Sequence, residues 1–169
     1  VVLDSRRSML VETIRRALRD QADAARAPSM QAYMKSAMPF LGVARPVLDR
    51  IVVDASKAQP LSDTDELIDA MAALWRDARH REERYAAIEL PTCTRAHRKL
   101  IAAAMLPLVE EMIATGAWWD LVDDISGNVL ARLLERHPSD IKPRLRAWAQ
   151  GDDLWLRRAA VLCQRSLDA

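Results

Sequence analysis

Apolar residues recur along this chain at helical spacing, and the runs are separated by short polar or Pro/Gly-marked breaks. The pattern predicts nine helices. The first covers 5–26, with Met9, Leu10, Ile14 and Leu18 on one face. A short second helix runs from a cap at Ser29 through Met38, and Pro39 to Gly42 breaks it. Arg45-Pro46 opens the third, with Val47, Ile51 and Val52 inward. Ser62 to Asp65 resembles a capping box, with Asp in place of Glu or Gln, and starts a fourth helix reaching about Arg79. The fifth covers 81–90, and the sixth runs from about Thr94 to Ala114. Trp118 to Arg136 forms the seventh and stops at His137-Pro138. The eighth extends from Pro138 to Gly151, and the ninth from Asp152-Asp153 to Leu167. Helices of this length with short connections describe hairpins packed side by side, as a compact bundle or an α-solenoid. Periodicity does not choose between the two, and no strict sequence repeat is present.

Composition supports an all-α chain. Of 169 residues, 50% are hydrophobic and only four are glycine. That is enough for one domain with a real core, read here as a single domain over 1–169. No apolar stretch approaches the ~20 residues of a membrane span. Val1 to Arg7 does not read as a signal peptide, because charge interrupts it. Cys93 and Cys163 sit in helical patterns and read as reduced thiols of a cytosolic protein. His80, His97 and His137 are scattered among charged residues and read as solvated surface, and no cluster has metal-ligand spacing.

Net charge is +1, which by itself argues against a strong nucleic-acid binder. The distribution is uneven. Residues 61–90 carry eight acids against four arginines, residues 131–169 carry eight bases against five acids, and the first sixty residues carry ten bases against six acids. A basic concave face and an ordinary mixed helix surface both fit these counts.

The candidate chemistry lies on the seventh helix. At about 100° per residue, Trp118, Val122, Ile125, Val129 and Leu133 form the core stripe. Trp119, Asp123, Ser126 and Leu130 form a second stripe at its edge, with Asp120 and Asp124 further toward solvent. Trp119 and Asp123 are therefore one turn apart on one face. Small residues at Ser126, Gly127 and Asn128 let a bulky partner approach. Spacing also allows a plainer arrangement, in which Trp119 packs on a neighbouring helix and Asp123 pairs with an arginine.

The run Trp118-Trp119-Asp120-Leu121-Val122-Asp123, the run Leu154-Trp155-Leu156-Arg157-Arg158-Ala159-Ala160, and the segments Tyr33-Met34-Lys35 and Phe40-Leu41-Gly42-Val43 together resemble the DNA alkylation repair family of the AlkD type. These are DNA glycosylases built from HEAT-like helical repeats. The resemblance extends from about Met30 to Leu167 and is most specific in the C-terminal third. It implies an α-solenoid of antiparallel HEAT-like helix pairs. It also implies catalytic roles for Trp119, Asp123 and Arg158, and DNA contacts from Tyr33, Lys35, Trp118 and Arg157. Trp155 and Leu156 fit the core side of their motif.

The implied substrate is double-stranded DNA carrying N3- or N7-alkylated purines, whose cationic base leaves without a metal or cofactor. The implied setting is a monomer in the cytoplasm, associated with the bacterial nucleoid. Family members continue for several helices past the ninth, so the chain reads as a fragment lacking that segment, and its start at Val1 without methionine also suggests trimming. A non-catalytic relative that binds unusual DNA structures and a protein-interaction solenoid are the alternatives. Retention of Trp119, Asp123 and Arg158 together favours the enzyme, and the near-neutral charge favours the interaction protein.

Overall fold

The structure, a computed structural model, describes residues 2–165, and no strand occurs among them. The helices are α1 (Val2–Asp20), α2 (Ala27–Met34), α3 (Arg45–Ala58), α4 (Thr64–Arg76), α5 (Arg81–Glu89), α6 (Arg95–Leu100), α7 (Leu106–Gly116), α8 (Trp119–Ile125), α9 (Ala131–Arg136), α10 (Pro138–Gln150) and α11 (Leu154–Leu162). They gather into two compact units, Val1–Lys99 and Leu100–Ala169. No helix among the described residues is long and apolar enough to cross a membrane.

In the first unit, α1 packs on α3, α4 and α5, and α3 also packs on α5. Leu10, Ile14 and Leu18 recur every four residues and are fully buried with Leu67, Met71, Leu74 and Ile88. Each such side chain contributes about 1.5–3 kcal/mol of hydrophobic stabilisation. Met9, expected inward, is 50% exposed, because it lies about 100° round the helix from Leu10. In α3 the inward face is Leu48, Val52 and Ala55, with Val47 and Ile51 half-buried at its edge.

Helix α4 begins one residue later than its sequence suggests. Asp63, not Ser62, is the cap: its carboxylate accepts from the Glu66 N–H at 2.9 Å, and the Glu66 carboxylate accepts from the Ser62 N–H at 2.7 Å.

The segment after α2 is held by charge. The Glu82 carboxylate, fully buried, accepts from the N–H groups of Leu41, Gly42 and Val43 at 2.9, 2.8 and 3.2 Å. Gly42 has φ +87°, and a Cβ there would lie 2.2 Å from the Asp23 carbonyl oxygen. Only glycine fits that backbone and that gap. Helix α2 ends at Met34 rather than Met38, in a Schellman turn. Lys35 takes the left-handed conformation at φ 49°, and the Ser36 N–H donates to the Gln31 carbonyl at 3.2 Å.

His97, expected at the surface, is fully buried. Its Nδ1 lies 2.9 Å from the Leu90 carbonyl, which can only accept, so Nδ1 carries the proton. The other nitrogen, Nε2, is buried without a hydrogen-bond partner. Burial pushes its pKa down. Cys93 and Cys163 are both free thiols, and burial pushes Cys163 up to about 11.

The expected sixth helix is two helices, and the division between units falls at the end of the first. Pro107 lacks an N–H, so it sits in the first turn of α7, where none is needed, after a short 3₁₀ turn at Ala103–Met105. In the second unit α10 packs on α9 and α11, while α11 packs on α7 and α8. A bidentate pair from Arg144 to Glu110 ties α10 to α7, at 2.6 to 3.0 Å. Helix α11 starts at Asp153, whose carboxylate accepts from the N–H groups of Trp155 and Leu156 at 2.8 and 2.9 Å. Its last described helical residue is Leu162, and the expected end at Leu167 lies outside the described residues.

Candidate functional site

Helix α8 is launched by a strained turn. Ala117 follows the end of α7 with φ 37° and ψ 40°, a left-handed conformation that costs a non-glycine residue about 1–2 kcal/mol. Gly116, which could adopt it freely, sits one position too early. The turn hands the chain to Trp118, extended at φ −154°, whose carbonyl accepts the first helical bond, from Val122, at 3.0 Å.

From there the helix sorts its side chains as amphipathic spacing requires. Val122, Ile125, Val129 and Leu133 are fully buried. Trp118 is half-buried. Its ring lies tilted against Trp155 of α11, centroids 6.2 Å apart, and its indole N–H is buried without a partner. Trp119 turns the other way and is 41% exposed.

Asp123 follows one turn after Trp119. Arg158 grips it from α11 in a two-pronged pair, Nε to Oδ1 at 2.5 Å and Nη2 to Oδ2 at 2.7 Å. The hydrogen bond to Asp123 raises the Arg158 pKa above its ordinary value, so this guanidinium remains charged throughout the accessible range. The pair is solvent-accessible, and screening limits its worth to stability. What it fixes is position: it holds the carboxylate in one orientation beside an open indole. The neighbouring Arg157 bends back to donate to the Gly151 carbonyl at 2.6 Å, closing the loop before α11.

Beyond Asp123 the helix changes pitch. Ser126–Leu130 forms a π turn between α8 and α9, where a continuous α-helix is expected from the sequence. The edge stripe therefore splits: Trp119 and Asp123 face solvent, whereas Ser126 and Leu130 are fully buried. The Ser126 hydroxyl donates back to the Val122 carbonyl at 2.5 Å, and the Asn128 amide donates to Asp124 at 2.5 Å. Asp120 and Asp124, expected furthest toward solvent, are half-buried.

The second unit thus pairs Asp123 with Arg158 one helical turn from Trp119, and Trp118 with Trp155. In the first unit, Tyr33 is 73% exposed at the end of α2, and Lys35 is exposed in the turn that follows. The Asp123–Arg158 contact is the plainer arrangement that spacing allowed for Asp123, with Arg158 as the arginine. Its only sequence signal was the need of a half-exposed carboxylate for a cation. Among the described residues no group of three His, Cys, Asp or Glu side chains is placed to hold a metal.

The fold and this cluster define an all-helical protein whose open aromatic face is paired with a fixed carboxylate and an arginine. A match to the family described as DNA alkylation repair enzyme spans residues 14–168, and the chain belongs to that family. The all-α architecture is the one expected of it. No curated protein matches the chain.

Proposed function

We propose that this chain is a DNA glycosylase that hydrolyses the N-glycosidic bond of N3- or N7-alkylated purines in double-stranded DNA. The observation that carries this reading is the half-exposed Asp123 carboxylate, one helical turn from an open indole and oriented by Arg158.

An alkylated purine of this kind already bears a positive charge. When its bond to C1′ breaks, the bonding electrons go to the base nitrogen and the base leaves neutral. No acid is needed to protonate it. The positive charge moves to the deoxyribose. Asp123 stabilises that charge and orients the attacking water. The water's proton passes to the carboxylate or to solvent, leaving a free base and an abasic site. The Trp119 face favours the cationic sugar or base. Trp118 and Tyr33 add stacking surface, and Lys35 and Arg157 add backbone contacts without sequence information.

Arg158 has two partners in this scheme. In the free protein its fork lies on Asp123. A DNA phosphate offers the same two-oxygen geometry with a full negative charge. When the strand arrives, the guanidinium turns toward phosphate, and the carboxylate is left unpaired beside the sugar.

The test is release of free 7-methylguanine or 3-methyladenine from methylated DNA, with the wild type and with Asp123→Asn. Release by the wild type and loss in the variant support the reading. Binding to the same DNA with no release by the wild type makes the chain a non-catalytic DNA-binding relative.

A further inference from the structure

Gly127 is a residue that the fold does not require. Glycine inside a helix costs about 0.5–1 kcal/mol relative to alanine. Two ordinary reasons excuse it, a left-handed backbone or a neighbour that fills the space of a Cβ. Gly42 has both. Gly127 has neither: its φ is not positive, and a Cβ built there meets nothing within 4 Å. Its flanking side chains are already used, Ser126 on the Val122 carbonyl and Asn128 on Asp124. Gly127 alone of the three is exposed.

Its position gives the omission a meaning. Gly127 follows Asp123 by four residues, as Asp123 follows Trp119. The π turn begins at Ser126, and each residue in such a turn rotates by less than the about 100° of an α-helix. Gly127 therefore lies more nearly above Asp123 than α geometry would place it. An open indole, a carboxylate and a patch of bare backbone then ascend one face, and π turns recur at functional sites.

We propose that the sugar–phosphate strand flanking the target nucleotide closes against the backbone at Gly127, so that this residue sets how near C1′ comes to the Asp123 carboxylate. The inference rests on the glycosylase reading and adds a residue that governs approach. A side chain at 127 holds the strand off the helix, and a displacement of about 1 Å at a reacting centre costs on the order of 10²-fold in rate.

The experiment compares the wild type with Gly127→Ala and Gly127→Leu in three measurements. These are thermal melting, single-turnover base release from methylated duplex DNA, and fluorescence anisotropy with a duplex containing a tetrahydrofuran abasic analogue. Both variants should melt at or above the wild type, because the space is open. Base release should fall by about 10-fold for alanine and about 10²-fold or more for leucine, with weaker binding to the abasic duplex. Wild-type release and affinity in Gly127→Leu overturn the proposal while leaving the glycosylase reading intact. If the wild type releases no base, that reading fails, and the anisotropy comparison still decides whether a strand meets Gly127. If leucine lowers the melting temperature, the alanine variant carries the decision on the same measurements.

Discussion

A carboxylate that stabilises a forming cation must not stay neutralised by a guanidinium, and this sets what substitutions at Asp123 and Arg158 should do. Asp123→Asn keeps size and most hydrogen bonding and removes the charge. Single-turnover base release should slow by about 10²–10⁴-fold, while DNA affinity holds or rises slightly. Arg158→Ala should show the complementary pattern, weaker DNA binding as its main effect. Asp123→Asn that weakens binding and leaves release unchanged would make the carboxylate structural. His97 gives a second prediction at this scale. Its folded pKa is depressed, so its neutral form is favoured by folding. The stability it contributes is complete above the unfolded value near 6.5 and is lost as pH falls below it, with a slope of at most about 1.4 kcal/mol per pH unit. Urea midpoints measured between pH 7.5 and 5 should fall in the wild type and flatten in His97→Asn. Residue identity in the W-W-D and R-A-A motifs was legible in the sequence. That Asp123 could pair with an arginine was legible too, but not which one, because the partners are 35 residues apart and only packing of α11 on α8 joins them. His97 is buried against its sequence context because its charged neighbours, Arg95, Arg98 and Lys99, are local, whereas burial is decided by distant segments.

Among the elements, the long amphipathic helices were readable because period and length agreed. Breaks inside apolar runs were not. Apolar residues continue in register from Ile101 to Ile113, so the stop at Leu100 and restart at Leu106 are masked. The π turn has no composition of its own. Two left-handed positions define what the turns require. Gly42→Ala combines a positive φ with a Cβ 2.2 Å from Asp23, and should destabilise by well over the about 1–2 kcal/mol of the backbone alone. Ala117→Gly relieves a similar φ without a clash and should stabilise by up to about 1 kcal/mol. Chemical denaturation of the two variants checks both signs. A neutral or favourable Gly42→Ala would mean that this segment can leave the Glu82 carboxylate at little cost.

For the whole molecule, a net charge of +1 leaves little long-range attraction for DNA, so affinity must come from local phosphate contacts. Log affinity should therefore fall linearly with log salt, by about 0.9 per phosphate neutralised. A filter-binding series that is flat from low to moderate salt would favour a protein-interaction role. The distribution of tryptophan has a further, optical consequence. Trp118, Trp119, Trp148 and Trp155 all belong to the second unit, and only Trp75 to the first. Intrinsic emission thus reports chiefly on the second unit. Within it Trp148 is 4% exposed, whereas Trp119 is 41% exposed. Iodide should quench a red-shifted component most strongly and spare Trp148, with half-buried Trp118 and Trp155 between. Trp119→Phe should abolish that component, and bound duplex DNA should shield it. The indole placed beside the carboxylate is in this way a built-in probe of its own occupancy, readable without a label.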